Sequence, residues 1–181
     1  LIAVTILAST HGPSSVAAIN NGFMLMLLPL GIFAMSLGEA SLPELSERWA
    51  TGERKTFALR MSSVWRYVVF LTIPSAVGLV VLAEPLVAVL FQRGAFDIRA
   101  TELTAIALRC FAIGLAGHAV VEILIRGFFA MHDTRTPVVV GSISLLAHVV
   151  LSWLLGLWMG IGGIALGVSI GVLTEAVILA L

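Results

Sequence analysis

From Thr136 to Thr174 the chain carries no Asp, Glu, Lys or Arg. About 20 consecutive apolar residues cross the hydrocarbon of a bilayer as a helix. The run is therefore too long for one crossing, and Gly156, Gly160, Gly162 and Gly163 mark where it divides. A second uncharged run extends from Gly12 to Gly38. The whole chain is 60% hydrophobic and 11% charged, against about 25% charged in soluble domains. These features define an integral membrane protein of the all-α class, a polytopic transmembrane helical bundle with one partial and about five spanning helices.

The approximate helices are 1–10, 15–40, 65–83, 98–131, 137–158 and 163–181, forming one membrane-embedded region without a soluble domain. Gly12 and Pro13 predict a turn at His11–Ser15. Leu42-Pro43-Glu44-Leu45-Ser46 is expected to end the second helix. Phe57, Met61, Val64 and Val68 recur at helical spacing among Arg60 and Arg66, which reads as an interfacial entry to the third. Glu84-Pro85 is expected to close that span, leaving Leu86–Gln92 as a short separate helix before a turn at Arg93–Asp97. Trp153 and Trp158 suit an interfacial belt. Leu1 and Leu181 both fall in apolar runs, so the sequence reads as an internal piece of a longer membrane protein. With alternating crossings, Arg48, Arg54, Lys55, Arg60, Arg66, Arg126 and Arg135 share one side and Arg93, Arg99 and Arg109 the other. Seven against three places the first group in the cytoplasm.

His118, Glu122 and Arg126 are spaced by four residues on the expected 98–131 helix and so share one face. Ionisable groups in a membrane face a partner or a wet cavity. Two readings stand: a polar face on a translocation pathway, meeting an anionic head group or relaying protons, or an internal Glu122–Arg126 pair with Arg126 snorkelling to the interface. Asn20 and Asn21 are further pathway candidates, with inter-helix hydrogen bonding as their alternative. His148 reads as an inter-helix hydrogen-bonding residue, and Glu175 carries no readable role. Pro29 and Pro74 are hinge candidates. Gly163, Gly167 and Gly171 form a small-residue ridge for close helix packing.

Zero net charge gives no nucleic-acid footprint. The single cysteine, Cys110, lies in an apolar run and offers neither a disulfide nor a metal cluster, so no metal and no cofactor are expected. Asp97 and Asp133, the only aspartates, lie in different loops on opposite sides, and no hydrolase motif occurs. The expectation is therefore no catalytic residue and no enzyme.

Four stretches carry a family resemblance. Pro29-Leu30-Gly31 through Gly38 and Leu42-Pro43-Glu44-Leu45-Ser46 form the first, and Leu90-Phe91-Gln92-Arg93-Gly94-Ala95-Phe96 the second. The others are Phe128-Phe129-Ala130-Met131-His132-Asp133-Thr134-Arg135-Thr136-Pro137 and Gly163-Ile164-Ala165-Leu166-Gly167. In order and spacing they resemble the lipid II flippases of the MurJ (MviN) family, within the multidrug/oligosaccharidyl-lipid/polysaccharide exporter superfamily. The resemblance implies part of a two-lobe transporter in the bacterial cytoplasmic membrane. Such a protein moves the lipid-linked peptidoglycan precursor to the outer leaflet by alternating access, with membrane lipids and the rest of the parent chain as its other partners. It also implies an arginine on the second helix, five residues before the proline, where this chain has Met24. Other cargoes stay open on this reading: another polyprenyl-linked sugar, a drug, or none, the last making the protein a membrane scaffold.

Overall fold

The computed structural model describes residues 2–9, 13–94 and 96–181. His11 and Gly12 of the expected first turn, and Ala95 of the expected Arg93–Asp97 turn, lie outside them. The described residues form helices α1 (Ile2–Ser9), α2 (Pro13–Pro29), α3 (Ser36–Ala50), α4 (Arg54–Phe91), α5 (Ile98–Ile113), α6 (Leu115–Ala130), α7 (Arg135–Met159) and α8 (Ile161–Ala180). A π-helical turn, Leu30–Met35, joins α2 to α3. Among the described residues, four helical stretches are long and apolar enough to cross a membrane, or five if α5 and α6 make one bent span.

α8 is the most buried of the long apolar helices. It packs antiparallel against α7 through a tight turn at Gly160, whose φ of +60° favours glycine. The glycine ridge sets the spacing. A Cβ on Gly163 would lie 3.0 Å from the Gly156 nitrogen, and one on Gly167 would lie 2.8 Å from the carbonyl carbon of Leu151. At this approach Ser152 Oγ reaches across and donates to the carbonyl of Ile164 at 3.0 Å.

The expected single helix over 98–131 is broken. α5 and α6 meet at Gly114 with a bend of 49°. Gly114 N–H bonds to the carbonyl of Phe111, a tighter step than the α-helical one. The Cys110 carbonyl instead accepts from Ser169 Oγ on α8, at 2.7 Å. A Cβ on Gly114 would fall 2.8 Å from the Ser169 Cα, so glycine there lets the serine enter the break. A side chain inserted into the hydrogen-bond ladder is a known cause of a sharp kink.

Two boundaries expected at prolines are corrected in the opposite sense. α3 continues through Pro43 to Ala50, so the turn is Thr51-Gly52-Glu53 rather than Leu42–Ser46. Leu45 is fully buried and packs with Phe57, Ala130, Trp49 and Met131, which holds the turns beyond Pro43 in register. α4 begins at Arg54 and passes through both Pro74 and Pro85 to Phe91, so Glu84-Pro85 closes nothing and Leu86–Gln92 is no separate helix. Val87 beyond Pro85 and Ala83 before it are both fully buried in the main core, and this packing outweighs the missing proline N–H. At about 1.5 Å per residue, the 38 residues of α4 span about 57 Å, well over the roughly 30 Å of hydrocarbon.

The same satellite core brings the Thr51 turn and the end of α6 to one face of the bundle. Ser14, Arg99 and Gly160 meet at the opposite face.

Gly167→Val should overpack the α7–α8 seam and destabilise the full-length protein by about 1–3 kcal/mol. Gly31→Ala, with nothing within 4 Å of the added Cβ, should be neutral to within about 0.5 kcal/mol. Thermal unfolding in detergent reads both. Equal loss in the two variants would mean that the ridge does not set the packing.

Candidate functional site

Three arrangements contain the candidate residues. The first surrounds Arg126 on α6. Its guanidinium pairs with the Glu122 carboxylate one turn earlier and reaches Glu39 of α3 at 3.6 Å. The side chain lies across Gly38, where a Cβ would sit 2.6 Å from Arg126 Cδ. Arg126 is 14% exposed and Glu122 26%, whereas Glu39 is 76% exposed. The cation thus ties α6 to α3, a link that the Glu122–Arg126 spacing alone does not contain. Glu39 was not among the candidates. Its signal was a lone carboxylate beside a glycine, just past the uncharged run.

His118 does not join this pair. Each fourth residue advances about 40° around an α-helix, so His118 and Arg126 diverge by roughly 80°. The His118 ring faces a cavity of about 110 Å³ shared with His148 of α7, Phe23 of α2 and Val168 of α8. Phe23 meets it edge-on, with ring centres 6.2 Å apart. The Nε2 atoms of both histidines are buried without a hydrogen-bond partner. His148 Nε2 stands 4.0 Å from Glu175 Oε2 of α8, and the Ser144 hydroxyl of α7 lies beside the Glu175 carboxyl.

The third arrangement is the outward strip of α2 and of the π-helical turn that follows it. Asn20 is exposed and its Oδ1 accepts from Thr5 Oγ1 of α1 at 3.4 Å. Asn21 is half-buried. Met24, Leu28 and Ile32 continue the exposed strip without a charge. Pro29 is followed directly by the π-helical turn, in which Ser36 Oγ donates to the Gly31 carbonyl five residues back. Pro74 shows no such break, and α4 stays helical around it.

The segment after α6 closes one helix and opens the next. His132 takes a left-handed φ of +59°. His132 N–H bonds to Phe129 O and Asp133 N–H to Phe128 O, each at 3.0 Å, which is the Schellman pattern. Asp133 Oδ1 then accepts from the N–H groups of Arg135 and Thr136 at 3.0 and 3.1 Å, and its Oδ2 from Thr136 Oγ1 at 2.6 Å. The Thr136 hydroxyl and N–H, and then the Arg135 N–H and charge, hold the Asp133 carboxyl below its usual range.

This helical arrangement recurs in known proteins. A family model described as lipid II flippase MurJ matches residues 1–181. The chain belongs to the MurJ family. It is 34% identical over 145 residues to a probable lipid II flippase MurJ of Vibrio cholerae, covering 80% of this chain and 28% of that protein. With the lipid II flippase MurJ of Burkholderia cenocepacia it shares 31% identity over 179 residues, 99% of this chain and 35% of the relative. A solved structure titled lipid II flippase MurJ, inward closed conformation, superposes with a TM-score of 0.88 at 28% identity, over 97% of this chain and 37% of that one. The chain thus spans about a third of the length of these MurJ relatives. Family membership and the apolar helices together make it a multi-pass membrane protein.

Two measurements test these contacts. Arg126→Gln should cost the full-length protein about 1–3 kcal/mol by stranding the half-buried Glu122 carboxylate. Glu122→Gln in the same background should recover part of that loss, with a coupling of about 1 kcal/mol in a double-mutant cycle of thermal unfolding. Strict additivity would show that the pair is not coupled. For Asp133 the sign follows from its depressed value. Its stabilising contribution is present above the unfolded value of 3.8 and is lost as pH falls through the lower folded one. Unfolding scans at about pH 7 and about pH 3 should show a loss in wild type that Asp133→Asn lacks. An identical loss in both proteins would remove Asp133 as its source.

Proposed function

We propose that this helical unit is part of a flippase that carries a polyprenyl-linked peptidoglycan precursor from the inner to the outer leaflet of the bacterial cytoplasmic membrane. The superposition on a MurJ structure over nearly the whole chain is the observation that carries this reading. The head group of such a lipid is a polar diphosphate–sugar that hydrocarbon excludes, so it needs a hydrated path between helices. Alternating access supplies one by rocking one helical unit against another. Pro29 and the π-helical turn after it are the proposed flexible point of this unit. No bond is made or broken in such a cycle, so we assign no catalytic residue, metal or cofactor and do not read the chain as an enzyme.

The exposed strip along α2 and the π-helical turn offers the cargo Met24, Leu28 and Ile32 rather than a cation. On this reading the diphosphate finds its positive partners outside this strip, on other parts of the full-length chain. Asn20 and Asn21 contribute neutral hydrogen bonds near the Ser14 face. The seven cations on the Thr51 and His132 side orient that face to the cytoplasm.

Lipid II accessible at the outer leaflet should fall in cells depleted of the full-length protein and recover on its re-expression. In the same cells Thr51→Cys should resist an impermeant thiol reagent added from outside. If the protein is present and inserted but outer-leaflet lipid II does not recover, the fold serves another cargo or none. Labelling of Thr51→Cys from outside would reverse the orientation.

A further inference from the structure

The polar groups in the middle of the bundle are not on the surface where a cargo would pass. His118, His148 and Glu175 come from three different helices and meet inside the α6–α7–α8 packing. Gly171 makes this possible, since a Cβ there would lie 2.7 Å from His148 Nε2 and displace the ring. Glu175 is 8% exposed. It is seated between the Ser144 hydroxyl and the bare backbone of Gly141, where a Cβ would meet Glu175 Oε1 at 3.6 Å. A buried carboxylate facing a buried imidazole nitrogen that lacks any other partner is a costly arrangement when no proton lies between them. The 4.0 Å between His148 Nε2 and Glu175 Oε2 is about an ångström longer than a hydrogen bond.

From this geometry we infer that His118, His148 and Glu175 form a proton-binding site within the bundle. One proton from water adds to the His148–Glu175 pair. An N–H bond forms at His148 Nε2 and points to Glu175 Oε2, and the net charge of the pair goes from −1 to 0. The O–H bond that carried the proton, in a hydronium ion of the bulk, breaks and leaves water, and no further co-reactant is needed. The cavity offers the proton a route, because both histidines line it, each has a buried Nε2 without a hydrogen-bond partner, and a few waters fit there. His118 is the second acceptor along that route.

The surrounding elements leave the pair isolated. Among the described residues, α1 and α2 present Val4 and Phe23 to the cavity, neither of them titratable. On α6 the next ionisable group is Glu122, already paired with Arg126. On α5, Arg109 faces away toward Glu84 of α4 at 3.5 Å. Proton occupancy therefore changes the charge at one place, the seam between α7 and α8, whatever cargo the protein moves.

The test is the ¹⁵N-histidine spectrum of the full-length protein in lipid bilayers, followed from about pH 8 to about pH 4 around the ordinary imidazole range. His118→Gln and His148→Gln assign the resonances. The expected result is a reversible titration of His148 that Glu175→Gln displaces by at least about tenfold in proton concentration. Ser144→Ala, which removes only the hydroxyl beside Glu175, should displace it by a smaller amount and covers the case of a Glu175 variant that fails to fold. A His148 resonance that stays neutral throughout overturns the proposal. So does a titration that neither Glu175→Gln nor Ser144→Ala moves. Neither result depends on whether lipid II is the cargo.

Discussion

How closely α8 can approach its neighbours decides the rest of this bundle. Between apolar helices in lipid there is little hydrophobic drive, so association rests on van der Waals contact and inter-helix hydrogen bonds, and both need close backbones. Gly163 and Gly167 bring α8 onto α7. Gly114 and Gly117 of the bent α5–α6 pair do the same on another side, where a Cβ would lie 2.8 Å from Ser169 Cα and 2.9 Å from a Leu173 methyl. Only at that range can Ser169 reach the Cys110 carbonyl and Ser152 the Ile164 carbonyl. Both bonds satisfy or reinforce backbone acceptors that hydrocarbon cannot serve.

The features legible in the sequence were those set by hydrophobicity over long windows. The all-α class, the long uncharged runs and the division near Gly160 follow from length and composition. Proline was the misleading signal. Pro43 and Pro85 looked like stops because each removes a ladder hydrogen bond, yet buried Leu45 and Val87 carry the helices past them. The true break, at Gly114, carried only a single glycine inside an apolar stretch, and its partner Ser169 lies far along the chain. A tertiary hydrogen bond of that kind has no local signature.

The candidate face divided for a geometric reason. A spacing of four residues approximates a stripe over one turn, but the phase drifts, so Arg126 turns to α3 while His118 turns into the core. Glu122 and Arg126 were readable as a pair because both lie on one helix. Glu39, His148 and Glu175 could be joined to them or to His118 only by knowing which helices touch. The MurJ motifs, by contrast, proved to be structural devices. The Asp133 loop is a cap between two helices, the Gly163 repeat is a seam, and Gly38 is the floor beneath Arg126.

The π-helical turn after Pro29 has a bearing on how this segment tolerates changes in length. A π turn holds one residue more than the α turn it replaces, so Leu30–Met35 absorbs an extra residue while α3 keeps nearly the phase of a continuous α-helix after α2. Loss of one residue there would let the ladder relax to regular α-helix with α3 almost unrotated, whereas loss of one residue within α2 would rotate all that follows by about 100°. The second change, unlike the first, would take Gly38 from beneath Arg126 and Leu45 from beside Phe57. Length is thus a stricter constraint in α2 than in the π turn, which is where this stretch can drop a residue without re-aiming α3.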